Sequence, residues 1–333
     1  MRYADYAGAE QATAVLEQQL DGPWAWTRDQ VTPSDCIVPL GDTGLKEVRS
    51  MAETIEANPL PAILRHPDQF EIPALRKVMA RAKRRLTEAP GIAVIDRLPL
   101  DELEDDTAAA ISWTLGQLIS RPVAQKWDGT MLFDVTDTGA TFGYGVRGSI
   151  TTVELVFHTD NASGLMQPDY VGLLCRYPAK EGGVSRFCSL YSVHNRMLEK
   201  YPELLPRLYR PLLWDRQAEH GPDEPKVSRA PMFQWDGKRL ISRANTNLNE
   251  KGYQIAGEEM DGETRAAIDA VNEVSTADEL WFELAIERGQ IQYLNNIEVA
   301  HYRSDFTDHE NPEFKRHLVR TWHRDRGGPA FHG

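Results

Sequence analysis

The stretch TTVELVFHTDNASG, residues 151–164, begins with the apolar run TTVELVF. Two polar side chains, His158 and Asp160, follow this run directly. The run predicts a buried strand, with expected bounds 150–157. His158 and Asp160 follow at positions i and i+2, and side chains with this spacing leave a strand on the same face. The pair predicts one edge of a metal site. An isolated His-x-Asp pattern also arises by chance, so other parts of the chain must show whether His158 and Asp160 belong to a metal site.

Composition limits the classes of protein to consider. The 333 residues are 41% hydrophobic and 26% charged, which is typical of a globular chain with a sizeable core. The net charge of −13, without a strong basic cluster, predicts no nucleic-acid partner. The three cysteines, Cys36, Cys175 and Cys188, are few, odd in number and without CxxC spacing, which argues against a disulfide framework. Such a set is typical of a protein in a reducing compartment.

The hydropathy pattern bears on location. The first 20 residues lack a basic segment followed by an apolar core, so we expect no signal peptide. No apolar run reaches the roughly 18 residues that a membrane span needs. We therefore expect a cytoplasmic protein without a membrane partner.

The periodicity predicts a mostly β protein with flanking α-helices. Strands are expected at 131–136, 150–157, 170–177, 184–189, 231–235, 239–243, 281–286 and 291–294, with a short one within 91–100. Helices are expected within 72–90, 101–120 and 261–275, whereas 311–325 fits either type. Trp24 and Trp26 are expected to anchor the core. The absence of GxGxxG and GxxxxGK[ST] motifs argues against a nucleotide-binding fold.

A distant histidine could complete the metal site. In GQIQYLNNIEVAHYRSDF, residues 289–306, an alternating strand and a turn-like Asn295-Asn296 precede His301. Two ligands on one strand and one distant histidine are the pattern of a two-histidine, one-carboxylate triad, which leaves metal positions open. His301 alone is more often an ordinary, partly buried histidine. Other histidines lie nearby in a charged region, and most are expected at the surface: His309, His317 and His323.

Two arginines follow in FKRHLVRTW, residues 314–322. If this stretch is a strand, Arg316 and Arg320 share one face. A buried arginine needs an anion, and its planar fork suits a carboxylate. The alternative for Arg320 is a structural ion pair with a local acid such as Asp305 or Glu313.

Taken together, HTD at 158–160, the downstream NN…H and the arginine of KRHLVR resemble the taurine dioxygenase family of iron(II)/2-oxoglutarate oxygenases, within the clavaminate-synthase-like superfamily. The segment GIAVIDRLPLDEL is similar to the N-terminal strand of that family and the start of the helix that follows it. PAKEGGVSRFCSLYSVHNRM is similar to its segment after the metal motif. The resemblance extends over roughly residues 70–325.

The resemblance implies a double-stranded β-helix (jelly-roll) core as a single catalytic domain at 71–333, with 1–70 as an N-terminal extension packed on it. It implies that His158, Asp160 and His301 bind iron(II) and act as the catalytic centre. Arg316 would hold the distal carboxylate of the cosubstrate 2-oxoglutarate. Ser185 stands where the family commonly has threonine, so a hydroxyl contact to 2-oxoglutarate is expected there. Arg320 matches a position that faces the substrate anion, and it could equally support the cosubstrate.

The expected reaction uses O2 and 2-oxoglutarate to oxidise a small organic molecule, with release of succinate and CO2. Arg320 and Arg147 suggest an anionic or amino-acid-like substrate. The carboxylate of Asp160 favours hydroxylation or a related oxidation, such as desaturation or cyclisation, over halogenation. Two alternatives stay open: a metal-dependent hydrolase with zinc in the same triad, which needs no arginine for a ketoacid, and a non-catalytic small-molecule-binding protein of the same fold. Homo-oligomerisation is also left open.

Overall fold

The structure is a computed structural model that describes residues 13–141, 143 and 145–333. Its helices are α1 Pro33–Cys36, α2 Gly41–Ala57, α3 Pro73–Glu88, α4 Asp105–Gly116, α5 Leu190–Lys200, α6 Leu205–Leu208, α7 Thr246–Ala256 and α8 Gly262–Ser275. Its strands are β1 Ile37–Pro39, β2 Ile92–Asp96, β3 Arg121–Val123, β4 Phe133–Thr136, β5 Leu155–His158, β6 Tyr170–Tyr177, β7 Glu181–Gly182, β8 Ser185–Ser189, β9 Leu212–Asp215, β10 Val227–Ala230, β11 Phe233–Trp235, β12 Leu240–Ser242, β13 Trp281–Leu284, β14 Ile291–Asn295, β15 Val299–Arg303, β16 Phe306–Thr307 and β17 His317–Arg324. The absence of a signal peptide was expected from the first 20 residues. Residues 1–12 of this segment lie outside the described residues.

Two sheets face each other and form the core. The larger has seven strands in the order β1-β2-β14-β6-β17-β3, with β4 also paired to β17, and the smaller has the order β13-β8-β15-β5. Three short ribbons, β9 with β10, β11 with β12 and β7 with β16, lie outside the two sheets. Inner-face residues of both sheets pack in one hydrophobic cluster, which includes Val94 and Trp322 from the larger sheet and Phe187 and Phe282 from the smaller one.

The larger sheet is covered on its outer face by helices, and its strands show why. In β2, Ala93 and Ile95 pack with the buried faces of α2, α3 and α4, whereas Ile92 and Val94 point to the inner cluster. Both faces of this strand are therefore apolar, as expected for a strand buried between two layers. The first strand, β1, pairs in parallel with β2 and extends this sheet.

The smaller sheet is covered in the same way by a second helical layer. Cys188 of β8 and Ala300 of β15 pack on its outer side in a cluster that also takes in buried residues of α5, α7 and α8. The neighbouring residues Phe187 and His301 are direct cross-strand partners and lie on the inner side. Alternation along these strands thus directs one set of side chains into the space between the sheets.

The expected strands are all present, with different bounds in places. The segment 170–177 matches β6, whereas β5 begins at Leu155 rather than at residue 150. The ambiguous segment near the end contains the strand β17. Sequence analysis did not predict the helices α2, α5 and α7 or the strands β9, β10 and β15.

Two expectations about single residues have opposite outcomes. Trp26 is buried, as expected of a core anchor, and its indole donates to the carbonyl oxygen of Pro90. His323 is fully buried, although most of the three histidines His309, His317 and His323 were expected at the surface. Strand alternation in β17 directs His323 to the face covered by α4, where its ring lies close to Gly116, and its ring nitrogens contact the Thr321 hydroxyl and the Ser120 carbonyl oxygen.

Among the described residues, no helix has the combined length and apolar character that crossing a bilayer requires.

Candidate metal centre and active site

Two histidines face each other across a strand pair at one end of the smaller sheet. The antiparallel strands β5 and β15 make His158 and His301 direct partners. Their ring centroids are 4.1 Å apart, and the ring planes are inclined by 41°. Directly opposite residues of an antiparallel pair lie on the same face, so both imidazoles point into the space between the sheets.

Asp160 joins the two histidines from the loop after β5. Its Oδ1 lies 3.7 Å from Nε2 of His158 and 3.8 Å from Nε2 of His301. The ligand atoms of the three residues all lie within 4.8 Å of one another. The structure thus brings together the three side chains that the sequence singled out.

The imidazoles are in the state that metal binding requires. Nδ1 of His158 lies 2.7 Å from the carbonyl oxygen of Val156, so Nδ1 donates and Nε2 keeps its lone pair. Burial lowers the pKa of His158, and burial together with the charge of His158 lowers the pKa of His301 to about 3. Both rings are therefore neutral near pH 7.

The second oxygen of Asp160 is held by two donors. Nε1 of Trp322 donates to Oδ2 over 2.7 Å, and Nη1 of Arg320 lies 3.1 Å from the same atom. Burial alone would raise the pKa of Asp160, but Arg320, the two histidines and Trp322 lower it to about 2. The carboxylate is ionised, and its Oδ1 remains directed towards the histidines.

Asn296 fixes the backbone of Asp160 from the turn between β14 and β15. Its Oδ1 accepts from the Asp160 amide over 2.7 Å, and its Nδ2 donates to the carbonyl oxygens of Asp160 and Pro168, each over 3.0 Å. Asn296 has no exposed surface. The turn that leads into the strand of His301 therefore also positions Asp160. The pair Asn295-Asn296 was expected to form a turn and was part of the family resemblance, but no contact of Asn296 with Asp160 was predicted.

A cavity of about 540 Å³, partly open to solvent, adjoins the three residues between the sheets. Its polar lining residues are Ser149, His158, Asp160, Ser185, Gln292, His301, Tyr302, Arg303, Arg316 and Arg320. The expected ligands and cosubstrate residues, His158, Asp160, Ser185, His301, Arg316 and Arg320, therefore all line this one cavity, whereas Arg147 does not.

Arg316 enters the cavity just before β17. It is 4% exposed, and its Nη1 has no hydrogen-bond partner among the described residues. Burial lowers its pKa to about 10, which still leaves it a cation near neutral pH. Gly183, with φ of +65°, lets the chain pass closely, because a Cβ there would lie 3.2 Å from Nε of Arg316. Gly183, the second residue of the Gly-Gly pair, thus makes room for this arginine.

Arg320 has a different ion pair from the one considered in the sequence. Neither Asp305 nor Glu313 is its partner; it pairs with Asp160, because strand alternation points it inwards. Its Nε donates to Oε1 of Gln125 over 2.8 Å, and its Nη2 has no partner among the described residues. Arg320 therefore supports the carboxylate of the triad and keeps one free donor.

Four polar residues of the cavity were not expected from the sequence, Ser149, Gln292, Tyr302 and Arg303, and two of these have unpartnered nitrogen donors. Gln292 of β14 is 1% exposed, and its Nε2 lacks a partner within the described residues. Arg303 of β15 is 5% exposed, and its Nε and Nη1 also lack partners there. The available signal was the spacing of two between His301 and Arg303, which places both on one face of a strand.

A second, outer cavity of about 820 Å³ shares His158, Asp160 and Arg320 with the first. Arg147 lines it and pairs with Glu219 over 2.8 Å. Its other polar residues carry charges of both signs or amide groups: Glu154, Asn161, Arg216, Gln217, Asn245, Asn247 and Lys251. The centre thus lies between an inner cavity rich in cations and an outer cavity of mixed charge.

Comparison with known proteins identifies the family. Residues 48–322 match the taurine catabolism dioxygenase TauD, TfdA family. The chain belongs to this family. It is therefore an iron(II)- and 2-oxoglutarate-dependent dioxygenase, as the resemblance implied.

Individual relatives of this dioxygenase are distant. A taurine hydroxylase-like protein of Stachybotrys chartarum is 24% identical over 318 residues, which are 92% of this chain and 80% of that protein. An asparagine oxygenase, solved with Fe(II), 2S,3S-3-hydroxyasparagine and succinate, has a TM-score of 0.66 at 18% identity and covers 89% of this chain and 98% of its own. The non-heme iron oxygenase OrfP, solved with Fe and α-ketoglutaric acid, has a TM-score of 0.63 at 16% identity, with coverages of 87% and 94%. The predicted jelly-roll core with flanking helices is confirmed.

The residues present fit the groups that this family uses. Two neutral imidazoles and one ionised carboxylate are a donor set for iron(II). The unpartnered buried nitrogens of Gln292, Arg303, Arg316 and Arg320 are all hydrogen-bond donors beside that set. Such a lining is suited to a ligand that supplies only acceptors and negative charge, as a dicarboxylate does.

Proposed function

We propose that this dioxygenase binds iron(II) through His158, Asp160 and His301 and oxidises a small, anionic or amino-acid-like molecule in the outer cavity. In this proposal, Arg316 and Ser185 bind the distal carboxylate of 2-oxoglutarate in the inner cavity. The observation that carries the assignment is the contact of the three-residue cluster with a cavity lined by three guanidinium groups and a single carboxylate. Each of these guanidinium groups has at least one nitrogen without a partner among the described residues.

Iron(II), when bound, supplies the O2 chemistry that amino-acid side chains cannot perform. The protein's part is binding and orientation. Trp322 and Arg320 hold one oxygen of Asp160, which leaves the other for the metal. Leu173 and Leu318 line the inner cavity beside the polar groups and reduce its access to water.

The substrate class is inferred from the outer cavity. Arg147 and Glu219 offer opposite charges at its wall, and Arg320 offers a free donor close to Asp160. A small molecule with both an anionic and a cationic or amide group would find partners there. The asparagine oxygenase was solved with 2S,3S-3-hydroxyasparagine and a mutant of OrfP with (3S)-hydroxy-L-Arg. Both molecules are amino acids, which supports an amino-acid-like substrate for this dioxygenase.

Two rival functions are less well supported. A zinc hydrolase could use the same triad, but it would have no use for a cationic inner cavity with Arg316 unpaired. A binding protein without catalysis would have no need for an ionised carboxylate held towards two neutral imidazoles. Homo-oligomerisation, the cytoplasmic location and the division at residue 70 stay predictions.

The experiment is a turnover assay with a panel of amino acids and small organic anions. O2 consumption and succinate release should require iron(II) and 2-oxoglutarate together, and one class in the panel should raise both rates. His301→Ala should abolish both. Release of a hydrolysis product without O2 consumption would contradict the proposal and favour the zinc hydrolase.

A further inference from the structure

Arg303 lies on the inner face of the smaller sheet, close to the proposed cosubstrate site. It follows His301 by two residues in β15, and it is the direct cross-strand partner of Ser185 in β8. Directly opposite residues of an antiparallel pair have Cβ atoms about 4.5–5.5 Å apart. Both side chains line the inner cavity together with Arg316.

Only part of the Arg303 guanidinium has a structural task. Its Nη2 donates to the carbonyl oxygen of Thr151 over 2.9 Å and also to that of Val153. Its Nε and Nη1 are buried and lack partners within the described residues. No ion pair among those residues includes Arg303.

A second guanidinium lies nearby. The guanidinium carbons of Arg303 and Arg316 are 4.9 Å and 5.2 Å from the centroid of the same ring, that of Phe306. Burial, and then the charge of Arg316, lowers the pKa of Arg303 to about 9. Among the described residues neither guanidinium has a carboxylate within ion-pair distance, although the charge of Asp137 acts on Arg303 and that of Asp308 on Arg316. Two buried cations placed in this way are costly, and an anion that binds to both would offset that cost.

We infer that Arg303 is a second cosubstrate-binding cation and binds the distal carboxylate of 2-oxoglutarate together with Arg316 and Ser185. The inference rests on the proposed function, since it takes the inner cavity as the 2-oxoglutarate site. It makes the inner cavity selective for 2-oxo acids with a second carboxylate, because both guanidiniums need that anion. A 2-oxo acid with an apolar end would leave both cations unpaired.

The test is anaerobic calorimetry of the iron(II)-loaded protein with 2-oxoglutarate and with 2-oxopentanoate, which has a methyl group in place of the distal carboxylate. Arg303→Gln should weaken 2-oxoglutarate binding by at least about 30-fold, as expected when one partner of a buried charged pair is truncated. Its affinity for 2-oxopentanoate should stay nearly constant. The affinity ratio of the two acids is therefore the decisive quantity.

Two further variants complete the experiment: Arg303→Lys, which keeps the positive charge, and Arg243→Gln, which is the control for the loss of a buried arginine. The lysine variant keeps a cation and should show an intermediate ratio, and it also serves if Arg303→Gln fails to fold. Arg243 is buried and donates to the carbonyl oxygens of Ala162 and Gly164, so its loss should affect both acids alike. An unchanged ratio in the Arg303 variants would overturn the inference. If the unaltered protein fails to prefer 2-oxoglutarate, the proposed function itself fails.

Discussion

His158 and His301 are direct partners across the antiparallel strands β5 and β15, with ring centroids 4.1 Å apart. The two histidines are therefore joined by the hydrogen-bonding ladder of the smaller sheet, and Asp160 is added by the loop that follows. A centre built on a strand pair is positioned by the sheet itself, which does not depend on the metal.

His158→Ala should abolish metal binding and leave the fold intact, because the ladder continues without the imidazole. Adding iron(II) under anaerobic conditions should raise the melting temperature of the unaltered protein and not that of the variant, since a ligand that binds only the folded state stabilises it. An equal rise in both proteins would place the metal elsewhere.

Asp160→Ala should be destabilising even without metal, because it leaves Arg320 buried without its partner. Removing one member of a buried ion pair costs about 3–5 kcal/mol. The double variant Asp160→Ala/Arg320→Met should recover much of that loss in urea unfolding of the metal-free protein. Arg320→Met alone completes the cycle, and a double variant whose loss of stability equals the sum of the two single losses would show that the pair is not coupled.

Asn296→Ala should weaken metal binding, because three hydrogen bonds that fix the Asp160 backbone and its loop disappear. Loss of such support around a ligand typically lowers metal affinity by about 10–100-fold. Asn249→Ala is the matched control, since Asn249 is also fully buried but donates to the Leu213 carbonyl oxygen. Both variants should lose stability, and only Asn296→Ala should lose metal affinity. Equal metal affinities of the two variants would show that Asn296 does not position Asp160 for metal binding.

Arg316→Ala should raise the concentration of 2-oxoglutarate needed for half-maximal turnover by roughly 30- to several-thousand-fold, from a loss of about 2–5 kcal/mol. Arg316→Lys should recover only part of this, because an ammonium group cannot form the two parallel hydrogen bonds of a guanidinium. Steady-state kinetics at varied 2-oxoglutarate measures both. An unchanged requirement in Arg316→Ala would move the role to another arginine of the cavity.

Stability should fall between about pH 4.5 and pH 7 because of Glu298. Burial raises the pKa of this carboxyl from 4.5 to about 7, so the folded state holds its proton more tightly than the unfolded state. Glu298→Gln removes this dependence, and the gain in stability relative to the unaltered protein should be larger at pH 8 than at pH 5, by roughly 3 kcal/mol at about 1.4 kcal/mol per pKa unit.

Glu53→Gln, which removes an exposed carboxylate from α2, is the control for the loss of one charge. Urea unfolding at the two pH values measures the difference. A Glu298→Gln effect that is independent of pH would mean that Glu298 does not titrate in this range.

The local part of the site was predictable from the sequence. The period of two predicted that His158 and Asp160 lie together, and they do, although Asp160 lies in the loop after β5. The same rule predicted one face for Arg316 and Arg320, and both line the inner cavity, although Arg316 precedes β17. Arg303 obeys this rule too, but β15 was not expected as a strand, so its relation to His301 went unnoticed.

The parts that were not predictable depend on contacts between distant segments. Asn296 and Asp160 are 136 residues apart, and their hydrogen bonds exist only because β5 and β15 pair. The Arg320 ion pair likewise needs β17 and the loop after β5 to meet across the two sheets.

A crystal structure determined anaerobically with iron(II) and 2-oxoglutarate is the most direct test of the central claim. It should show the metal bound to Nε2 of His158, Oδ1 of Asp160 and Nε2 of His301, with the distal carboxylate of 2-oxoglutarate at Arg316. A metal bound elsewhere, or a 2-oxoglutarate molecule that does not contact Arg316, would contradict the account.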